Sequence, residues 1–317
     1  MRIYFLVLVL AFVITYLITP VVKNLAFKLG AVDIPNDRKV HTEPTPRLGG
    51  LAIFFGYVLS IGSVLIFFDF PGKNIDFSLI IGIILSATLL LLVGIIDDIR
   101  GLRAMTKLFF QVLATLLVIW FGVKISFITN PVEGILPIGA LAVPLTLLWV
   151  VGVTNAINLI DGLDGLATGV ALISCVTLFI VAILSGQVGA AILLAALLGT
   201  GLAFLRFNFP PASIFLGDSG SLFLGFILAT SAIVGVLKTT LVVALIVPVL
   251  ILGVPIFDTL FAIVRRLKSG KNPFEADDRH IHHMLLRAGF DKREAVLAIY
   301  TVCFILSFIA LIMATIK

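Results

Sequence analysis

Ten apolar segments follow one another along this chain, with gaps too short for a second domain between them. They run Ile3–Val22, Leu48–Phe68, Phe77–Ile96, Leu108–Val123, Ile135–Ile157, Leu166–Leu184, Val188–Leu205, Leu222–Leu237, Leu241–Val264 and Ala295–Ile316. The first holds about 20 residues, enough to cross a hydrocarbon layer as a helix. Of the 317 residues, 61% are hydrophobic and 12% charged, where soluble domains carry about 25% charged residues. No soluble core could hide this much apolar surface, so lipid is the solvent for most of it. In lipid, backbone polar groups are satisfied inside a helix or a closed barrel, and the period-2 alternation of barrel strands is absent. The expected fold class is all-α: a polytopic integral membrane protein of about ten transmembrane helices, forming one membrane-embedded domain over residues 1–317. Ile3–Val22 has neither the short apolar region nor the small-x-small cleavage site of a secretory signal, and reads as a retained first helix. Cys175 and Cys303 fall inside apolar runs and read as buried thiols. Pro248 and Pro255 are expected to bend the ninth span.

Ten spans place alternate loops on opposite sides. The loops after spans one, three, five, seven and nine, with the span ends beside them, hold 17 of the 22 Lys and Arg residues. Cations concentrate in cytoplasmic loops, so this side reads as cytoplasmic and both termini as external. The same side holds 14 of the 17 Asp and Glu residues and all four histidines. The orientation rule does not require that, and a chemical site on this face is the simplest reason for it.

Four motifs carry the chemistry. Asp97-Asp98 ends span three, where adjacent carboxylates repel each other and are costly to desolvate; a divalent cation or a cationic partner would relieve both costs. The plainer reading is a polar helix stop helped by Arg100 and Arg103. Asn155, Asn158, Asp161 and Asp164 recur every three residues and share one face of a helical turn, with Gly162 and Gly165 leaving room for a ligand. Asn208 to Ser221 contains Pro210-Pro211, which forces an irregular loop. It then opens span eight, whose N-terminus favours anions. Asp218 beside such an anion site makes sense if a metal bridges them; the alternative is an Asp or Ser helix cap. The last loop holds Arg279, His280, His282 and His283, suited to phosphate binding. Zinc is the rival there, although the spacing departs from common zinc patterns and no cysteine is near. The first loop offers Arg38, Lys39, His41 and Arg47 as anion-attracting cations, or as ordinary positive-inside bias. Lys107 and Gln111 form an i, i+4 pair at the start of span four. Asp258, within span nine, is a site candidate by its depth.

Taken together, Arg38-Lys-Val-His41 with Pro46-Arg-Leu-Gly-Gly50, Asp97-Asp98, Asn155 to Ala167, Asn208 to Ser221 and Ala276-Asp-Asp-Arg-His-Ile-His-His283 resemble the polyprenyl-phosphate N-acetylhexosamine-1-phosphate transferases. That family includes phospho-MurNAc-pentapeptide translocase. The Pro-Arg-Leu-Gly-Gly ending and the Arg-His-Ile-His-His run resemble the WecA/TagO-like branch, which starts teichoic acid, O-antigen and enterobacterial common antigen lipids and usually takes UDP-GlcNAc. Asp277-Asp278 is doubled where that pattern has a single Asp. The resemblance implies transfer of N-acetylglucosamine 1-phosphate from UDP-GlcNAc to undecaprenyl phosphate, with release of UMP. It implies that Asp97 and Asp98 are catalytic and that Asp218, with Asp161 and Asp164, holds Mg²⁺, for which Mn²⁺ can substitute. It also implies that Asn155, Asn158, Asn208, Lys107, Arg47, Arg279, His280, His282 and His283 bind substrate. The expected partners are the UDP-sugar, the polyprenyl phosphate and membrane lipid, without nucleic acid, in a homodimer. The expected location is the cytoplasmic membrane of a bacterium or archaeon, with the site facing the cytoplasm. Transfer of MurNAc-pentapeptide phosphate is the near alternative. A CDP-alcohol phosphatidyltransferase shares the Asp161-Gly-Leu-Asp164-Gly-Leu-Ala run, but Thr168 stands where that signature needs Arg. A transporter would place its ionisable groups near the bilayer midplane, and here nearly all lie at one face.

Overall fold

The computed structural model describes residues 1–34, 44–68, 75–130, 134–237, 246–270 and 279–315. Among the described residues, each apolar run of the sequence is mostly helix. In order these are α1 (Arg2–Leu29), α2 (Gly49–Phe67), α3 (Phe77–Arg100), α4 (Ala104–Trp120), α5 (Ala142–Ile160), α6 (Leu166–Leu184), α7 (Val188–Asn208) and α8 (Gly217–Ala232). After them come α9 (Ile246–Ile251), α10 (Gly253–Lys268), the short α11 (Ile281–Arg287) and α12 (Lys292–Thr315). Among the described residues, eight helices are long and apolar enough to cross a membrane, and α4, with 17 residues, is a shorter apolar helix. The chain is an all-α multi-pass membrane protein.

Burial sorts the helices into an axis and a rim. Buried residues make up 89% of the apolar stretch of α8 but 28% of those of α1 and α12. α8 touches α2, α3, α5, α6 and α7, so it is the axis. Where helices cross most closely the sequence supplies glycine. A Cβ on Gly199 of α7 would overlap the Leu8 carbonyl of α1, one on Gly50 of α2 would overlap Gly220 of α8, and one on Gly94 of α3 would overlap Ser219. Small residues at such contacts let backbones approach in a medium that gives no hydrophobic push between helices.

Three differences from the sequence reading have local causes. The fifth span starts at Ala142 rather than Ile135, because Phe127–Asn130 (β1) and Gly134–Pro137 (β2) pair as an antiparallel hairpin ahead of it. Pro137 cannot donate to a helix, whereas Pro144, in the first turn of α5, sits where its missing N–H costs nothing. The eighth span starts five residues early, at Gly217, for a reason found in the site. The ninth span is not one bent helix. It is split at Leu252 into α9 and α10. Pro255 removes the donor that would have met the Ile251 carbonyl. Buried Ser174 of α6 donates its hydroxyl to that carbonyl at 3.0 Å, which satisfies the freed group inside the bundle as lipid requires.

The close crossings give a test. Gly199→Val should cost about 1–3 kcal/mol through overpacking and lower the unfolding temperature in detergent. Gly62→Ala, with nothing within 4 Å of its Cβ, should leave that temperature unchanged or raise it. Equal effects of the two changes would refute the close α1–α7 contact.

Candidate active site

The end of α3 and the start of α8 are joined by one carboxylate. Leu216, at the N-cap of α8, offers no side-chain cap, so the first N–H groups need a partner from elsewhere. Asp98 supplies it: its two oxygens accept from Asp218 N at 2.8 Å and Ser219 N at 3.1 Å. This explains the early start of the helix and replaces the Asp or Ser cap considered from sequence. Gly217 has a φ of +72° and would place a Cβ 2.6 Å from Asp98 Oδ2. No other residue suits both the backbone and the space.

Beside this cap lies a charge network. Lys107 Nζ stands 2.8 Å from Asp97 Oδ2 and 2.5 Å from Asp218 Oδ2. The other oxygen of Asp97 accepts from Leu102 N. The other oxygen of Asp218 accepts from Asn158 Nδ2 at 3.0 Å, and that amide also donates to Ser221 Oγ at 2.8 Å. One turn along both helices, Gln111 and Asn155 exchange amide hydrogen bonds at 2.5 and 3.3 Å. The i, i+4 spacing of Lys107 and Gln111 and the i, i+3 spacing of Asn155 and Asn158 put these two pairs in register.

In front of the network is a cavity of about 330 Å³. It is lined by Asp33, Arg47, Asp98, Asp161–Asp164, Asn208, Phe215–Asp218, His283 and Lys292. Those residues come from the segments after α1, α3, α5 and α7 and from the stretch that leads into α12, so the loops assigned to one side do meet at one end of the bundle. The two strands Val32–Asp33 and Thr45–Pro46 pair antiparallel and bring Arg47 Nη2 within 2.6 Å of Asp33 Oδ1. Asp164 Oδ2 accepts from Ala212 N at 3.0 Å. Asn208, 2% exposed, accepts from Thr168 Oγ1 and donates to the Ile214 carbonyl, which fixes the loop that begins with the cis Pro210–Pro211 peptide. Desolvation, then the carboxylates of Asp218, Asp98 and Asp164, pushes the Asp161 carboxyl well above the usual carboxylate range, with Arg47 opposing.

The histidines stand behind one wall. Asp258 of α10 accepts from His280 Nδ1 at 2.8 Å and from Ile281 N at 3.0 Å, so it holds both the ring and the first turn of α11. His282 packs so closely on Gly162 that a Cβ there would overlap the ring. It is buried, with Nδ1 lacking a partner among the described residues. Burial, with His283 and His280 beside it, pulls its pKa down to about 4 despite Asp258, so the ring is neutral at pH 7. The His283 ring, 4.2 Å from that of His282, reaches the cavity.

The structure thus gathers Asp97, Asp98, Lys107, Asn158 and Asp218 in one network. It places Asp161, Asp164, Asn208, Arg47 and His283 with Asp98 and Asp218 around one cavity. Asn155, His280 and His282 lie outside the lining. Arg279 is exposed and outside it too, its carbonyl accepting from Arg265. Arg38, Lys39, His41, Asp277 and Asp278 lie outside the described residues. The sequence reading missed Asp33, whose partner is 14 residues away, and Lys292 as a lining residue. A basic pair in the first turn of α12, against the helix dipole, was the available signal for the latter. Among the described residues, no three His, Cys, Asp or Glu side chains stand close enough to hold a metal ion by themselves.

Residues 80–236 match the family described as glycosyl transferase family 4. Over 312 residues the chain is 41% identical to a probable undecaprenyl-phosphate N-acetylglucosaminyl 1-phosphate transferase of Bacillus subtilis, covering 96% of this chain and 85% of that one. It is 38% identical over 315 residues to a decaprenyl-phosphate N-acetylglucosaminephosphotransferase of Mycobacterium tuberculosis (92% and 77% covered). It is 27% identical over 300 residues to an undecaprenyl-phosphate alpha-N-acetylglucosaminyl 1-phosphate transferase of Escherichia coli K12 (92% and 79% covered). With its motifs and its helices in the same order as that resemblance demands, the chain belongs to glycosyl transferase family 4, the polyprenyl-phosphate N-acetylhexosamine-1-phosphate transferases.

Proposed function

We propose that this protein transfers N-acetylglucosamine 1-phosphate from UDP-GlcNAc to a polyprenyl phosphate, undecaprenyl phosphate above all, and releases UMP. The product would start a lipid-linked cell-envelope glycopolymer. The observation that carries this reading is a cavity at one end of an apolar bundle, where carboxylates suited to a metal and cations suited to phosphate converge from separate segments. The names of the three relatives agree with it. The cation excess on that face, 17 of 22 Lys and Arg, supports a cytoplasmic site.

In the reaction, an oxygen of the lipid phosphate attacks the phosphorus that bears the sugar, and the bond from that phosphorus to UMP breaks. A phosphate monoester has its second pKa at about 6 and is largely dianionic at pH 7, so little proton removal is needed. The larger barrier is repulsion between two anions, about 4 kcal/mol for two unit charges 4 Å apart at an effective dielectric of 20. Arg47 and His283 face the cavity as donors to phosphate oxygens. Asp97, paired with Lys107, holds that ammonium beside Asp218 rather than serving as a free base. His282 is a neutral wall against Gly162 that keeps Asp161 in place.

The residues present fit Mg²⁺, with Mn²⁺ as a substitute. Burial first and then the neighbouring carboxylates raise Asp161, a divalent cation would relieve that crowding of acidic groups, and the donors are oxygens. Of the candidates Asp218, Asp161 and Asp164, no more than two would reach one ion together, with phosphate oxygens and water completing the set. When bound, it supplies positive charge to the diphosphate.

Purified protein in detergent, given radiolabelled UDP-GlcNAc, UDP-GalNAc or UDP-MurNAc-pentapeptide and undecaprenyl phosphate, should release UMP from UDP-GlcNAc. Release should require both the lipid and Mg²⁺. Release without lipid phosphate, or from another donor only, would overturn the reading. At saturating Mg²⁺, Asp218→Ala should lose about 10²–10³-fold in kcat if charge stabilisation dominates, and Asp97→Asn distinctly less. Equal or reversed losses would count against electrostatics as the main term. Because the folded pKa of His282 lies below the unfolded value of about 6.5, the unfolded chain takes up its proton first. Stability from this site is therefore full above pH 6.5 and is lost as pH falls from 6.5 towards 4. His282→Gln should flatten that part of the unfolding-temperature profile. An unchanged acid limb would show that the ring is not held neutral by burial.

A further inference from the structure

We infer that Asp258 is a positioning residue for the reaction: by binding the start of α11 with both carboxylate oxygens, it sets where His283 stands at the cavity. This rests on the reaction proposed above, in which His283 donates to a phosphate oxygen, and names the residue that places it. α11 has seven residues, and a helix shorter than about 12 residues is marginal on its own in water. Its N-cap, His280, makes no side-chain cap. Asp258 does so instead, from α10: Oδ1 accepts from Ile281 N at 3.0 Å and Oδ2 from His280 Nδ1 at 2.8 Å. One carboxylate thus fixes a backbone donor and the adjoining ring, and its negative charge lies where a helix start favours it.

From that clamp a row of rings leads to the cavity. His280 and His282 lie parallel, with centroids 6.0 Å apart. His282 packs on Gly162, next to Asp161, and its ring stands 4.2 Å from that of His283. α10 packs against α5, whose end leads into Asp161–Asp164, so Asp258 ties α11 to the helix that carries another part of the wall. The side chains of Asp258 and His280 are only 10% and 6% exposed, and a buried ionic pair often stabilises less than apolar residues of the same size. Stability alone is therefore a poor reason for the pair, and fixing one arrangement is a better one. The alternative is a pair that only holds the fold together.

A double-mutant cycle on the full-length protein in detergent with Mg²⁺ separates the two. The readouts are kcat/KM for UDP-GlcNAc with undecaprenyl phosphate, and the affinity for UDP by calorimetry. Asp258→Ala should lower both about tenfold, the size of one lost hydrogen bond to a charged group. In a His283→Ala background the same change should cost about twofold or less, because the bond it acts through is already gone. Asp258→Asn keeps an oxygen for Ile281 N and offers an N–H to the ring in its other tautomer, so it should recover most of the loss. Equal factors in the two backgrounds, an Asp258→Asn as weak as Asp258→Ala, or a His283→Ala that leaves both readouts unchanged would each overturn the inference. If Asp258→Ala does not fold, Asp258→Leu, which fills the space and accepts from neither donor, is read in the same cycle. Wild-type protein that binds UDP but does not turn over UDP-GlcNAc sinks the reaction, and the UDP affinities then decide the role of Asp258. Wild-type protein that turns over while Asp258→Ala costs the same in both backgrounds sinks that role and not the reaction. Failure of the wild type to do either sinks both.

Discussion

The carboxylate of Asp98 accepts the first free N–H groups of α8, and most of the site's geometry depends on that contact. It binds the end of one membrane helix to the start of the central one. It starts α8 at Gly217, so that Asp218 leaves the first turn towards Lys107 and Asn158. The glycines around it make the contact possible: Gly50 and Gly94 bring α2 and α3 onto the backbone of Ser219 and Gly220 with no side chain between them. Backbone contacts are stiffer than side-chain contacts, and the acidic group at the centre of the network is held by them.

Lys107 then decides how several carboxylates can share so small a space. Asp97 and Asp218 both lean on its ammonium, and the Gln111–Asn155 amide pair closes the layer beneath with its hydrogen bonds met internally. Buried polar groups are tolerable in this setting only when they are paired. The cavity side is different. Asp161 has other carboxylates as neighbours and Arg47 as its opposing charge, so its environment asks for cations from outside the chain. The two sides divide the work: one is neutralised by the protein, the other is left for ligands.

Much of this was legible in the sequence, for reasons that can be named. Apolar runs in lipid admit little except helix, so, among the described residues, the eight long apolar helices and the shorter α4 all fall on runs read from the sequence, and the Asn155–Asp164 periodicity and the Asp97-Asp98 pair pointed to residues that do converge. What escaped depended on partners far along the chain. The roles of Asp98 as a cap for α8, of Asp33 as the partner of Arg47, and of Asp258 as the holder of His280 each require a neighbour 14 to 121 residues away. The break in the ninth span was half legible: Pro255 announced a bend, but the split at Leu252 depends on the Ser174 hydroxyl from α6.

The cavity wall begins at Asp33 and is completed at Lys292. Between those positions the chain passes back and forth through the whole bundle, and each odd-numbered crossing leaves one part of the wall behind. A ribosome feeding this chain into a bilayer therefore delivers the pocket in instalments, and the strap from Arg293 to Pro210 arrives only as the last helix emerges. Until then the half-built protein has acidic walls without their final basic edge. A polypeptide cut short before α12 lacks both Lys292 in the cavity wall and the bond from Arg293 to the loop after α7.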